Sequence, residues 1–182
     1  MIKLSDAIIK VLFLLIFAAF SAGSASAAQW VRTAPTIETL SGVWANSPDD
    51  VFIVGNSGTV LHYNGTAWSE SSQSVHNLNA VWGSSANSVF AVGQNGTILH
   101  YDGNSWSGMT SNTIFDLNAV WGSSASDVFA VGESGTIMNY DGTDWSEMTS
   151  GTIKNLNGVW GSSASDVFAV GEDFTILYYD GS

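Results

Sequence analysis

The chain has 182 residues and a formal net charge of −12, from 16 Asp and Glu against four Lys and Arg. This balance argues against a nucleic-acid-binding protein, because phosphate contacts need Lys and Arg. The absence of Cys excludes a disulfide-stabilised miniprotein, and the 45% of apolar and 12% of aromatic residues argue against intrinsic disorder. The length predicts a single domain.

The N-terminus has the features of a secretory signal peptide. Lys3 and Lys10 precede an unbroken apolar run over residues 11–20, and small residues follow as far as Ala-Ser-Ala at positions 25–27. The alternative is a membrane anchor, but a spanning helix needs about 20 apolar residues and this run is about half as long. We therefore expect residues 1–27 to be removed by cleavage before Ala28.

Removal of the leader makes the chain more acidic. The mature chain would keep two cationic residues, Arg32 and Lys154, against 15 acidic residues, which gives a net charge of −13. Such a surface favours solubility and repels nucleic acids and anionic membranes. The sequence therefore predicts an exported protein (periplasmic, secreted or on the cell surface) with no nucleic-acid partner and no transmembrane segment after cleavage.

A unit of about 39 residues recurs four times in residues 28–182. Its first Trp is found at positions 44, 82, 121 and 160, which are spaced by 38, 39 and 39 residues. The predicted units are residues 40–77, 78–116, 117–155 and 156–182.

Each unit contains short strand signals. In the second unit these are LNAVW, VFAVG, TILHY and WSGMT, which are β-branched and aromatic runs bounded by Gly, Ser, Asn and Asp. None is long enough for a typical helix. Four short antiparallel strands repeated at this period predict an all-β fold, a β-propeller with one four-stranded blade per unit. A β-solenoid is the alternative, although its coils are usually shorter, at about 20–30 residues.

Gly-containing pairs mark the predicted hairpin turns. The pairs between the third and fourth strands are Asn64-Gly65, Asp102-Gly103, Asp141-Gly142 and Asp180-Gly181. Asn-Gly and Asp-Gly pairs favour type I′ turns, which need positive φ at both central residues. Unit four has Phe174 where the other units have Gly58, Gly96 and Gly135. Because Phe resists positive φ, we expect a different hairpin there.

The fourth unit ends before its second Trp, and a matching segment lies at the other end of the mature chain. Trp30 precedes Leu40 by ten residues, as Trp68 precedes Leu78. Residues 28–39 therefore predict a closing strand, beginning at Trp30, that completes the last blade and removes the exposed sheet edges. This favours a closed four-blade monomer, while a homodimer that forms an eight-blade ring stays open as the alternative.

The unit VWGSSASDVFAVGESGTIMNYDGTDW resembles the repeats of bacterial secreted β-propellers of the WD-repeat, YVTN and BNR-like superfamily. It is similar also to the repeats of the photosystem II stability and assembly factor group, which read approximately aVG-x-x-GTIl followed by DG and Trp. The resemblance covers residues 30–182 and implies the fold rather than a function. The BNR Asp-box order Asp, Gly, Trp is present at residues 102–106 and 141–145 with one residue fewer, and the Asp-box is itself a structural turn.

Enzymatic activity is not expected. The sialidases of that superfamily grip a carboxylate with an Arg cluster, and the mature chain has only Arg32. A general glycosidase needs two carboxylates, which are plentiful here. However, acidic residues such as Asp50, Asp127 and Asp166 recur in register, and recurrent residues of this type are more often turn formers than catalysts.

No cofactor or metal site is predicted. His62 and His100 occupy the same repeat position, and equivalent strands of adjacent blades point their side chains in parallel rather than at one another, which favours packing over metal binding. The Ser-rich loop at residues 122–127 is a weak candidate for Ca²⁺, and a capped polar loop is the preferred interpretation.

The Trp residues form two series. Trp44, Trp82, Trp121 and Trp160 are the candidate ligand-binding residues. The second series is Trp30, Trp68, Trp106 and Trp145. Exposed aromatic rings stack on sugars, whereas packing between blades is the preferred interpretation for both series.

The sequence thus predicts an exported, non-enzymatic β-propeller that binds a protein or a glycan. The alternatives are a BNR-like glycan-active enzyme of the glycosyl hydrolase type, and a truncated or oligomerising repeat array with a structural role only.

Overall fold

Fifteen β-strands make up the fold in the computed structural model, which describes Thr36 and residues 38–182. The predicted leader, residues 1–27, and the predicted strand at Trp30–Thr33 lie outside the described residues. Among the described residues, no helix is long and apolar enough to cross a membrane.

The strands form four antiparallel sheets, each built from one repeat unit, which we call blades 1 to 4. Blade 1 contains β1 (Leu40–Ser47), β2 (Asp50–Gly55), β3 (Thr59–Tyr63) and β4 (Trp68–Ser72). Blade 2 contains β5 (Leu78–Ser85), β6 (Ser88–Gly93), β7 (Ile98–Tyr101) and β8 (Trp106–Met109). Blade 3 contains β9 (Leu117–Ser124), β10 (Asp127–Gly132), β11 (Ile137–Tyr140) and β12 (Trp145–Met148). Blade 4 contains β13 (Leu156–Ser163), β14 (Asp166–Gly171) and β15 (Ile176–Tyr179).

The order of the strands in each sheet follows the order of the chain, so that every blade is a meander. The second strand lies between two neighbours, and in blades 2 and 3 it is covered on both faces, which explains its unbroken apolar sequence. In β6, Val89, Phe90, Ala91 and Val92 are all fully buried. The predicted all-β fold of four repeated antiparallel sheets is confirmed.

The blades stack face to face. The first strands pack in series, β1 on β5, β5 on β9 and β9 on β13. We call the face toward the following blade the front face and the other the back face. Phe52 and Val54 on the front face of blade 1 form a buried cluster with Val89, Ala91 and Leu99 on the back face of blade 2. The same positions form the cluster between blades 2 and 3, so one packing scheme is repeated along the chain.

The type I′ turn lies at a different pair from the one predicted. Ser57 has φ 55° and Gly58 has φ 68°, so both central residues between β2 and β3 are positive, as type I′ requires. At the predicted pair, Gly65 has φ 86° and Asn64 is absent from the residues with positive φ. Because Gly65 is the first central residue of the turn closed by Asn64 and Ala67, positive φ there is typical of type II′.

The expectation of a different hairpin at Phe174 is wrong. Asp173 and Phe174 have φ 50° and 61°, which match the other units. The hydrogen bonds match as well, since Thr175 N–H donates to the carbonyl of Glu172 at 3.0 Å, as Thr97 N–H does to that of Gln94 at 3.1 Å. The Phe174 side chain is fully exposed. The hairpin therefore holds a bulky residue in the left-handed region, which costs roughly 1–3 kcal/mol.

Candidate interaction surface at the fourth blade

The first Trp series lies between blades. Its rings are half-buried in blades 1 to 3, and each lies over a glycine of the following blade. A Cβ added to Gly83 would lie 2.7 Å from the Trp44 ring, and one added to Gly122 would lie 2.6 Å from the Trp82 ring. The glycine is therefore the feature that lets the next blade approach the indole closely.

Trp160 lies on the front face of blade 4, and that face is exposed. Trp160 is 62% exposed, whereas the equivalent Trp121 is half-buried. The apolar side chains around it are also exposed, at 41% for Phe168, 46% for Val170, 70% for Ile176 and 58% for Tyr178. We call these five residues the open face. At the same positions of blade 2, the side chains of Phe90, Val92 and Ile98 are at most 1% exposed.

In the second Trp series, Trp106 and Trp145 begin the fourth strands of blades 2 and 3, and each packs against the preceding blade. Trp145 is 3% exposed. Its ring meets Phe90 edge-on at 6.1 Å and Tyr140 at 5.4 Å, and its Nε1–H donates to the sulfur of Met109 at 3.5 Å. Burial of roughly 200 Å² of indole surface, at about 25 cal/mol per Å², stabilises such a contact by about 5 kcal/mol.

At the equivalent position between blades 3 and 4, the described residues line a cavity. It measures about 160 Å³, and Phe129, Met148, Leu177 and Tyr179 are among the residues that line it. The first two of these are on blade 3 and the last two are on blade 4. We call these four residues and the space between them the indole pocket.

The edge of β15 beside this pocket is unpaired among the described residues, since blade 4 contains only three strands there. Gly171 N–H donates to the Thr175 carbonyl at 3.0 Å, which makes these two residues a hydrogen-bonded pair. Hydrogen-bonded pairs alternate along an antiparallel ladder. The backbone groups of Ile176 and Tyr178 therefore point away from β14, toward the position of a fourth strand.

The recurrent carboxylates stabilise turns. Asp102 accepts hydrogen bonds from the N–H groups of Asn104 and Ser105, both at 2.8 Å. These backbone donors, Ser105 first, hold the pKa of Asp102 below its ordinary value. Asp141 has the same two bonds, from Thr143 and Asp144, and its pKa is lowered for the same reason.

The two predicted His side chains pack on the second strand of their blades. His62 stacks on Phe52 with ring centroids 4.1 Å apart, and its Nε2 lies 2.7 Å from the Asp50 carboxylate. His100 lies 4.5 Å from Phe90. Burial lowers the pKa of His100, although the nearby Asp102 carboxylate opposes the shift.

The Ser-rich loop of blade 3 is closed by its own side chains. The Asp127 carboxylate accepts hydrogen bonds from the hydroxyl of Ser123 at 2.5 Å and the amide of Asn139 at 3.3 Å. Within the described residues, no group of three or more His, Asp or Glu side chains is arranged to hold a metal ion.

The sequence singled out Trp160 but missed the indole pocket. Phe129, Met148 and Tyr179 are ordinary core residues in the repeat pattern. The available signal was the repeat itself, because Phe129, Met148 and Tyr179 stand at the positions where Phe90, Met109 and Tyr140 surround Trp145. The Trp that the repeat predicts for this position is Trp30, which lies outside the described residues.

Solved structures have the same fold at low sequence identity. The chain is similar to a structure described as YCF48 bound to D1 peptide (19% identity, TM-score 0.62) and to YCF48 from Cyanidioschyzon merolae (14%, 0.64). It is also similar to the computationally designed Ika4 protein (14%, 0.70). The similarity covers 76%, 78% and 86% of this chain and 48%, 50% and 100% of those chains.

The chain thus spans about half the length of the two YCF48 chains. At these identities the similarity shows the fold alone, and it confirms the predicted relation to β-propeller repeats at that level. No protein-family model matches the sequence, and no curated protein sequence matches it.

Proposed function

We propose that this chain is a non-enzymatic protein-interaction module whose fourth blade takes up a segment of another protein. The observation that supports this is the open face, where the same side chains that are covered between the preceding blades are 41–70% exposed. Contiguous exposed apolar patches mark interaction sites in soluble proteins. A protein ligand fits better than a glycan, because the patch adjoins a strand edge whose backbone groups pair with another polypeptide.

The absence of catalysis is part of the proposal. It is supported by the engagement of the recurrent carboxylates in local hydrogen bonds, of which Asp102, Asp127 and Asp141 are examples. A glycosidase needs one carboxylate that is kept protonated and another that is ionised, held about 5–10 Å apart across a sugar site. The shifts at Asp102 and Asp141 are in the same direction, toward lower pKa, and arise from turn formation.

A site-specific photocrosslinker tests the interaction. Trp160 is replaced by benzoylphenylalanine in the full chain, expressed in its own host, and Ile153, which is 83% exposed but outside the open face, is replaced in a control chain. We expect a protein crosslinked at position 160 and not at 153. The purified crosslinked protein should bind the natural chain, and Trp160→Ser should weaken that binding by about tenfold or more. Equal crosslinking at both positions would contradict the proposal.

Export is proposed from the sequence of residues 1–27 alone. The intact mass of the chain recovered outside the cytoplasm should correspond to a protein that begins at Ala28. Recovery of the uncleaved chain from the cytoplasm would refute export and leave the interaction proposal standing.

A further inference from the structure

The geometry points to the cavity between blades 1 and 2 as a binding site for one residue of a neutral sugar. We call it the blade 1–2 cavity, and Phe52, His62, Ser71, Tyr101 and Trp106 are among the residues that line it. Both blades are complete four-stranded sheets within the described residues. The site is distinct from the open face of blade 4, and the inference goes beyond the proposed function.

The cavity arises from Ser71, which stands where the next two units have Met. Ser71 pairs with Val60 in blade 1, as Met109 pairs with Ile98 in blade 2, and unit three has Met148 at this position. The short Ser side chain leaves open the space that the Met109 side chain fills between blades 2 and 3. The resulting cavity measures about 340 Å³, within the range of about 300–1,000 Å³ that is typical of small-molecule sites.

The aromatic residues around the cavity are placed as in the closed contact between blades 2 and 3. The Trp106 and Phe52 rings lie 6.0 Å apart with an angle of 77° between their planes, and the equivalent Trp145 and Phe90 rings lie 6.1 Å apart at 79°. The two indoles are therefore held in the same way. The cavity follows from the residue at position 71 rather than from a displaced indole.

The indole N–H of Trp106 faces this space without a protein partner. In the next contact along the chain, the Trp145 Nε1–H donates to the Met109 sulfur at 3.5 Å. Trp106 has the same ring placement but Ser71 in place of the Met, and its N–H has no hydrogen-bond partner among the described residues. Because the buried side-chain N and O atoms of those residues all have partners, this N–H is open to solvent. An N–H held in this way favours a ligand with an acceptor oxygen.

Polar groups of blade 1 complete the lining. His62 is part of the cavity wall, and its Nε2 lies 2.7 Å from a carboxylate oxygen of Asp50. Because a carboxylate accepts and does not donate, Nε2 carries the hydrogen, and Nδ1 of the neutral ring is left as an acceptor. The hydroxyls of Ser69 and Ser71 both donate and accept. The lining residues thus supply a donor from blade 2, an acceptor from blade 1 and two hydroxyl groups.

This set of groups selects a neutral ligand that carries hydroxyls. Lys154 is the only Lys or Arg in the described residues and pairs with Asp173 beside blade 4, so the cavity has no cation to hold an anion. A cationic ligand would place its own donors against the Trp106 N–H, and an alkyl chain would leave the serine and histidine groups without partners. A sugar ring avoids these penalties, because its hydroxyls donate and accept while its C–H groups pack on aromatic side chains.

Nuclear magnetic resonance of the isotope-labelled mature chain tests the site directly. The probes are D-glucose, D-galactose, D-mannose, L-fucose and N-acetyl-D-glucosamine, each added to about 50 mM, which reveals Kd values of about 10 mM or tighter. We expect at least one of them to shift the indole N–H signal of Trp106, identified by its absence from a Trp106→Phe chain, and to leave that of Trp145 in place. No shift at Trp106 with any sugar overturns the inference, and so does a stronger shift with tetramethylammonium, which would mark a cation site.

Ser71→Met tests the cavity with the residue that closes the equivalent space in the next unit. The Met side chain should fill the cavity and accept from the Trp106 N–H, so sugar binding should weaken by about tenfold or more. The variant should melt at the same temperature as the natural chain or higher, because a filled cavity is stabilising, so a loss of binding is separate from a loss of folding. Ser146→Met is the matched control, since it adds the same side chain to the fourth strand of blade 3 and should bind the sugar as the natural chain does.

Two results of these substitutions contradict the assignment. Undiminished sugar binding by Ser71→Met places the sugar elsewhere, and an equal loss of binding in Ser146→Met makes the effect independent of the cavity, so that either result overturns the inference. The proposal for blade 4 is tested separately, because crosslinking at position 160 reports on a different blade and survives a failure of sugar binding.

Discussion

Gly122→Ala tests the packing between blades most directly. The added Cβ would lie 2.6 Å from the Trp82 ring and 2.7 Å from the Asp127 carbonyl oxygen, distances at which atoms must move. Overpacking of this kind costs about 1–3 kcal/mol. In a domain of about 150 residues each kcal/mol lowers Tm by roughly 2–4 °C, so we expect a Tm lower by about 2–12 °C.

The matched control is Gly108→Ala, because an added Cβ there meets nothing within 4 Å. This variant should melt at the same temperature as the natural protein or slightly higher, since Ala restricts the unfolded chain. Differential scanning calorimetry compares the two. In a Trp82→Leu background the cost of Gly122→Ala should fall, because the ring that meets the Cβ is gone. A Tm for Gly122→Ala equal to that of Gly108→Ala would refute the close Trp–Gly contact as the cause of blade spacing.

The other predictions concern turns and titration. Phe174→Gly should raise Tm by a few degrees, because it relieves the positive φ of 61° and removes no buried contact. Gly135→Ala, at the equivalent position of blade 3, should lower Tm sharply, because its Cβ would lie 2.1 Å from a backbone oxygen. The pKa of His100 is lower in the folded protein, so the unfolded chain takes up the proton first as the pH falls. The free energy of unfolding should therefore decrease as the pH drops below the ordinary His value of 6.5. In His100→Asn this pH dependence should disappear between about pH 7 and pH 5, as measured by thermal melts across that range. Asp141→Ala should lower Tm at neutral pH and have little effect once the pH is below the lowered pKa of Asp141, because the turn needs the ionised carboxylate. A pH-independent Asp141 effect, or a slope that survives in His100→Asn, would contradict these assignments.

The strands and their grouping could be predicted because each is specified locally. A run such as Val89–Gly93 is apolar throughout, and its repetition in register at Val128–Gly132 shows that it forms the same element each time. The turn type could not be predicted in the same way. Ser57-Gly58 and Asn64-Gly65 both carry a residue tolerant of positive φ, and which pair adopts type I′ depends on the length of the loop between the paired strands.

The interaction surface was only partly accessible from the sequence. The spacing of the Trp residues identified Trp160, but the same spacing describes the half-buried Trp121 equally well. The difference between them is whether a blade within the described residues packs on the ring, and the periodic spacing of the Trp residues carries no information about that. The indole pocket is harder still to predict, because Phe129 and Tyr179 come from different units and meet only when the blades pack.

The turns between the second and third strands of blades 1 to 3 each contain a glycine, at Gly58, Gly96 and Gly135. The packing of the neighbouring blade explains this glycine better than the turn conformation does. Phe174 adopts φ 61°, within a few degrees of Gly96 at 63°, and makes the same hydrogen bonds, so the turn forms without glycine, at the cost of a side chain in the left-handed region. What differs is the surroundings: a side chain at Gly96 would meet the linker to blade 3, whereas the Phe174 side chain is fully exposed. Packing also explains Ala45 in blade 1, which stands at the position of Gly83 and Gly122. Those glycines lie under the Trp ring of the preceding blade, whereas no Trp of a preceding blade in the described residues lies over Ala45. Among the described residues, the units therefore match at Gly83, Gly96 and Gly122, where another blade or its linker packs against them, and differ at Ala45 and Phe174, where no described blade does. This is the pattern expected if packing between blades is the constraint that keeps the glycines.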